Sequence, residues 1–531
     1  MNRQTFVRRL VYVLLIAALI VPLSFFSQPA TTSMGPGRPA TPGGRLAQLR
    51  KKYELGQANL GEIDPASETI KLATLGLKGV AANILWGKAN TYKVHEDWTS
   101  LSATLDQLSK LQPNYISVWR FQGWNLSYNV SVEWDDYRDR YFWVKEGVKF
   151  LDKGTRYNAS EPRLIYDMGW FTGHKIGRAD EHLQFRQLFV QDDDELYPNH
   201  SQRPQNRRDN WLVAQEYFRK AQQMVDDDPS LLRTMNPLTF HSEPAMCQIN
   251  YSAALEEEGT FGEKARISWE EALREWQQYG ARNFPTLDGL TARLNDLEMY
   301  QHQAAELKAE LEELDSGLRE RIVAEKRAAL TAAERDALEM PFEARNEDDF
   351  QRSFNAMRKL AVTHEDVAKR ITGPDKERAA ELARKAALAD AYADAINHER
   401  EIVNFEYWRM RCQVERTPAA LEARRLIYEA GRLYDEAALE QAREAYEKAF
   451  VLWREIVDEH PRMLSDRVGS DSVMIAIRGY IKLLQQLDLP FPTDFILKDM
   501  FQGSGMMPED MPPGMLPRGM PDMPQPPGPG A

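Results

Sequence analysis

The chain has 531 residues, with 67 Lys and Arg against 80 Asp and Glu and a formal net charge of -13. That length builds roughly two to four domains, and the acidic balance excludes a general nucleic-acid binder, which needs a basic footprint. Two cysteines, Cys247 and Cys412, exclude a disulfide-stapled fold and leave either one long-range bridge or two unpaired buried thiols; without CxxCH no c-type haem attachment is expected, and no four-ligand zinc spacing occurs.

Residues 1–26 carry the strongest signal. Arg3, Arg8 and Arg9 precede an uncharged apolar run over residues 10–26, LVYVLLIAALIVPLSFF. At about 1.5 Å per residue the run reaches about 25 Å, just short of the hydrocarbon core. Val7 and snorkelling Arg8 and Arg9 extend it. A retained single-pass membrane anchor, a cleaved signal peptide and a buried core helix all fit this run. The first two readings place the body outside the cytoplasm, because the basic flank stays inside. Residues 27–44, SQPATTSMGPGRPATPGG, are too rich in proline and glycine for a helix or a sheet and read as a tether.

Residues 45–285 read as an aromatic-rich domain of short helices, without the alternation of a β-sheet. Leu101-x3-Leu105-x2-Leu108 is followed by Trp119-x2-Gln122-Gly123-x2-Leu126. Gly147-x3-Leu151-x2-Gly154 is followed by Ile165-x2-Met168-Gly169, and Ala214-x3-Phe218-x2-Ala221 comes later. The small residues let antiparallel helices approach while Leu or Phe fills the gap.

Residues 286–417 are expected to form charged coiled-coil helices. Leu294, Leu297, Tyr300, Ala304, Leu307, Leu311, Leu314 and Leu318 follow steps of three and four. Thr331-Ala-Ala-Glu334 predicts a capping box, Pro341 a break, and Thr372-Gly373-Pro374-Asp375 a restart into a helix running towards Arg416. The stripe packs on that second helix in an antiparallel hairpin, or on another subunit in a coiled-coil dimer, or stays a solvent-exposed charged helix. Residues 418–490 repeat the small-aromatic-small pattern as Ala442-x3-Tyr446-x2-Ala449, with a capping helix near residues 472–487. Residues 491–531 are expected to be a disordered tail, since their prolines deny regular structure.

These patterns resemble the tetratricopeptide-repeat (TPR) family, in which W-x2-L-G-x2-Y on one helix precedes A-x3-F-x2-A on the next, with proline at the repeat's end. Gln122 stands where the family has leucine, and WDDYRDRYFW, residues 134–143, lengthens the spacing beyond one unit. The resemblance implies stacked helix pairs with an extended binding face. The expected fold is therefore all-α: a TPR-like α-solenoid with a long coiled-coil insertion, an N-terminal transmembrane helix and a disordered Pro/Met-rich tail. The layout, with Tyr407-Trp408-x-x-Arg411-Cys412, also resembles membrane-anchored envelope proteins of planctomycete-type bacteria, a similarity that transfers no catalytic residue.

Two functions follow from these readings. The first is a scaffold holding other envelope proteins or peptides, with Trp119, Trp124, Tyr128, Trp134, Trp143 and Trp170 as groove aromatics. The second is metal handling or metal-dependent catalysis. Its candidates are His174, Asp180 and His182, or the tail thioethers Met506, Met507, Met511, Met515, Met520 and Met523, which suit copper(I). His174 and His182 do not match HExxH, and no GxSxG, GxxxxGK[ST] or GxGxxG occurs. No cofactor is expected on the scaffold reading, and copper is the alternative.

Overall fold

A computed structural model describes residues 78–193, 196–197, 201–204, 207–286, 288–464 and 467–500, with isolated positions 44, 45 and 48. Among them the chain is all-helical apart from one antiparallel pair of two-residue strands, Phe284–Pro285 with Thr291–Ala292. None of these helices is long and apolar enough to cross a membrane. The apolar run at residues 10–26, the tether at residues 27–43 and the tail methionines lie outside the described residues.

The chain divides into two compact units between Met235 and Asn236. This boundary falls inside the segment 45–285, which sequence patterning treats as one domain. The junction is the short linker after Asp227, in which Pro229 opens a single 3-10 turn and Pro237 opens the next helix.

The first unit contains α1 (Lys78–Val94), α2 (Trp98–Leu111), α3 (Ile116–Trp124), α4 (Tyr137–Tyr157), α5 (Pro162–Trp170), α6 (His182–Gln191) and α7 (Asn210–Asp227). Side-chain caps set several starts. Asp97, Asp136 and Asp209 accept backbone N–H groups of the first turn, and Glu161 does so before Pro162. Each cap satisfies at least one of the donors a helix start leaves orphaned, and Asp209 satisfies two.

Glycines bring these helices close. A Cβ on Gly147 of α4 would lie 2.6 Å from the Gly123 carbonyl of α3, and one on Gly154 would lie 2.8 Å from the Trp119 ring. Gly169 of α5 meets the Ala214 carbonyl and the Phe218 ring of α7 in the same way. Leu105, Leu108, Val118, Trp119, Val148, Leu151, Leu164 and Phe218 fill the space between. The Trp, Gly and Leu positions singled out in the sequence thus form helix-pair contacts.

The second unit begins with α8 (Pro237–Glu257) and α9 (Glu263–Gly280). It continues through α10 (Leu297–Glu313), α11 (Leu318–Ala328), α12 (Ala332–Glu339), α13 (Glu347–Leu360), α14 (His364–Arg370) and α15 (Lys376–Ile402). It closes with α16 (Phe405–Glu415), α17 (Pro418–Asp435), α18 (Leu439–Glu459) and α19 (Arg467–Gln486). The Thr331–Glu334 capping box is present in full.

The apolar stripe of α10 is covered by α15 of the same chain. Leu297 packs with Ile396, Tyr300 stacks on Tyr392 at 4.6 Å between centroids, and Leu311 packs with Leu382 and Ala383. Residue numbers rise on one helix as they fall on the other, so the pair is antiparallel. The helix expected to continue to Arg416 instead breaks after Ile402. Asn404 sits at φ 49°, a left-handed conformation that asparagine tolerates better than most residues.

The tail assignment needs one correction. Residues 491–500, placed by composition in the disordered segment, pack onto the core. Phe495, Leu497 and Met500 are buried with Phe450, Trp453 and Tyr480. Composition averages over a window, and the prolines further on mask a short apolar anchor.

Candidate functional site

In the first unit α3 places Ser117, Arg120, Phe121 and Trp124 on one face, at the three- and four-residue steps that align side chains along a helix. The opposite face carries Trp119 and Gly123 into the core. On α5, Tyr166, Asp167 and Trp170 are followed by Phe171. With Trp86 of α1 these residues line a cleft of about 630 Å³, within the range of small-ligand and peptide pockets.

Two π-helical turns, Asn125–Asn129 and Phe171–Lys175, follow α3 and α5 directly. The extra residue per turn shifts the facing of what comes next, and such turns are frequent at functional sites. Trp124 and Trp170 sit at the junctions and stay 41 % and 37 % exposed. Tyr128, in the first π turn, stacks on Trp124 with centroids 5.7 Å apart and meets Phe171 edge-on. Lys175 Nζ lies 4.9 Å from the centre of the Tyr128 ring. Burial raises the Tyr128 pKa and lowers that of Lys175.

The polar feature of the cleft is an ion pair. Arg120 donates to Asp167 through both Nε and Nη2, the latter bond at 3.1 Å. Asp167 is almost wholly buried while the Arg120 side chain is nearly half exposed. Burial pushes the Asp167 pKa up, and the hydrogen bonds and charge of Arg120 pull against it. The Asp167 hydrogen bond is the main cause of the raised Arg120 pKa. Bidentate pairing fixes the guanidinium plane and leaves its Nη1 donors available to an incoming carbonyl or carboxylate.

The sequence-nominated aromatics separate into three places. Trp124 and Trp170 line the cleft, with Tyr128 beside them. Trp134 and Trp143 stack on each other at 6.3 Å and are not part of the cleft wall. Trp119 is corrected to core: it is 1 % exposed and donates its indole N–H to the Pro113 carbonyl at 2.7 Å. Arg120 and Asp167 escaped the sequence reading because 47 residues separate them. The available signal was a lone arginine on an aromatic helical face.

The metal candidates are not gathered into a ligand set. His174 stacks on Trp170 at 3.9 Å and meets Trp211 edge-on, while His182 Nδ1 lies 2.8 Å from the Ala179 carbonyl. Among the described residues no group of three His, Cys, Asp or Glu side chains could hold a metal ion. The π turn before Ile176 and the short helix break after Arg178 spoil the two-turn spacing that the sequence suggested. No disulfide joins Cys247 and Cys412, both of which are buried; burial pushes the Cys412 thiol up to about 12.

A second, more polar recess of about 610 Å³ lies beside α10 and α15. Arg319 Nη2 lies 3.2 Å from His364 Nδ1, and His364 Nε2 lies 2.7 Å from Asp390. Arginine can only donate, which assigns the ring proton to Nε2. The lining contains no serine, threonine or cysteine to serve as a nucleophile. No family model and no curated protein matches this chain.

Proposed function

We propose that this chain is a membrane-tethered helical scaffold whose TPR-like first unit binds extended peptide segments of other envelope proteins on the non-cytoplasmic side. The observation that carries the proposal is the aromatic cleft with a bidentately held arginine at its wall. Exposed tryptophans offer large contact area at low entropic cost. Arg120 offers directional donors to a peptide carbonyl or carboxylate. Little else in the cleft is charged, so the site recognises apolar and proline-containing segments, which dock readily against aromatic walls.

The repeat reading is supported by the pairing of Trp119 and Gly123 with Leu151 and Gly154, and of Gly169 with Ala214 and Phe218. The tether reading is supported by residues 1–26 and their basic flank. The acidic surface disfavours adhesion of the body to anionic lipid, which suits a scaffold held by a leash.

Peptides selected on the full-length protein from a random display library provide the test. Trp124→Ala and Trp170→Ala are expected to weaken the selected peptides at least tenfold, with helical content unchanged. Selected peptides that bind both variants as tightly as the parent would overturn the proposal. Carbonate extraction of native membranes checks the tether independently: the protein should stay with the membrane.

A further inference from the structure

In the second unit α13 turns Asp349, Ser353 and Ala356 inward. Its other face carries Phe350, Phe354 and Met357 at steps of four and three, and all three are exposed. Phe342, 68 % exposed, extends the patch by meeting Phe350 edge-on at 5.0 Å. Four large apolar side chains grouped on an otherwise highly charged surface mark an interaction face.

The charges around this patch say what covers it. Glu347 and Arg358 lie on the same edge of the stripe, one at each end, and neither has an ion pair within the chain among the described residues. The helix is acidic over Glu347 and Asp348 and basic over Arg358 and Lys359. An identical helix laid antiparallel against it brings unlike charges together at both ends. Phe350 and Met357 are equidistant from the helix midpoint, and Phe354 is nearly central. The stripe is therefore complementary to itself under a two-fold rotation, which an isologous interface requires.

We infer that a second copy of this chain docks on this face, with the two Glu347–Leu360 helices antiparallel. Phe350 packs on the partner's Met357, Phe354 lies beside the partner's Phe354, and Glu347 pairs with the partner's Arg358. One helix and a turn from each copy place the interface at the low end of specific contacts. The dimer is therefore expected to be concentration-dependent. This inference does not depend on the peptide cleft.

Sedimentation equilibrium of the full chain in detergent, over a hundredfold concentration range, provides the test. The parent is expected to pass from monomer to dimer. Phe354→Glu should raise the dissociation constant at least tenfold without changing the circular dichroism. Glu347→Arg and Arg358→Glu should each weaken the dimer several-fold, and their combination should restore it. Under mild oxidation Phe354→Cys should give a disulfide-linked dimer, and Asn355→Cys, off the stripe, should not. A monomer at every concentration, a dimer indifferent to Phe354→Glu, or a double charge reversal no better than either single one would overturn the inference.

Discussion

Trp269 donates its indole N–H to Glu256 at 2.7 Å, and both side chains are buried. Arg424 holds the neighbouring Glu415 through two hydrogen bonds and stacks over the Trp453 ring at 4.7 Å. Arg411 stands over Trp269. Burial is the main cause that pushes Glu256 up to about 8, and repulsion from Glu415 adds to it, while Arg424 and Trp269 oppose the shift. The acid thus stays protonated at neutral pH while Glu415 is paired with Arg424.

That arrangement makes stability pH-dependent. The unfolded side chain titrates near its ordinary value of 4.5 and the folded one near 8. The stabilisation is fully present below about 4.5 and is lost as pH rises through about 8. Glu256→Gln keeps the shape and the acceptor for Trp269 but cannot ionise. It should match the parent at pH 4 and exceed it by a few kcal/mol at pH 9. Urea denaturation at both pH values measures this; parallel pH profiles for the two proteins would remove Glu256 as the cause.

Gly147→Ala and Gly431→Ala should have opposite signs. A Cβ at 147 would collide with Ser127 Oγ and the Gly123 carbonyl, whereas one at 431 meets nothing within 4 Å. Overpacking costs about 1–3 kcal/mol, outweighing the gain of up to about 1 kcal/mol from replacing a helical glycine. At 431 only the gain remains. Thermal melts should show a lowered transition for the first variant and a raised one for the second.

Asp167→Asn keeps the side-chain outline and removes the charge that holds Arg120. Because Arg120 is nearly half exposed, the loss in stability should be modest, about 1 kcal/mol. Peptide affinity should fall more, since the guanidinium loses its fixed plane. Calorimetric titration beside a thermal melt separates the two effects. Unchanged affinity would mean that the ion pair is purely structural.

Ending the chain after residue 490 should destabilise the second unit by several kcal/mol, because Phe495, Leu497 and Met500 leave a gap beside Trp453 and Tyr480. A chain ending after residue 501 keeps this anchor and is the comparison for the melt. Equal melts for the two truncations would show that this anchor contributes no stability.

Sequence by itself determined the helical class, the Thr331–Glu334 cap and the small-residue helix contacts. These depend on neighbours within one or two turns, and period, caps and glycine spacing record such neighbours directly. It marks Trp119, Trp124 and Trp170 alike, because exposed and buried tryptophans look the same in a sequence. For the same reason it wrongly nominated Trp119, whose burial against Gly154 is set by a different helix.

Only the tertiary structure decided which arginine meets which carboxylate. Arg120 and Asp167 become partners because α3 and α5 pack side by side, and nothing local marks either residue. Packing likewise drew Phe495, Leu497 and Met500 out of a proline-rich segment and into a core. It also gave the α10 stripe a partner in α15. Contacts between distant segments follow from how helices are placed in space, and hydrophobic period reports which face is greasy without saying what will cover it.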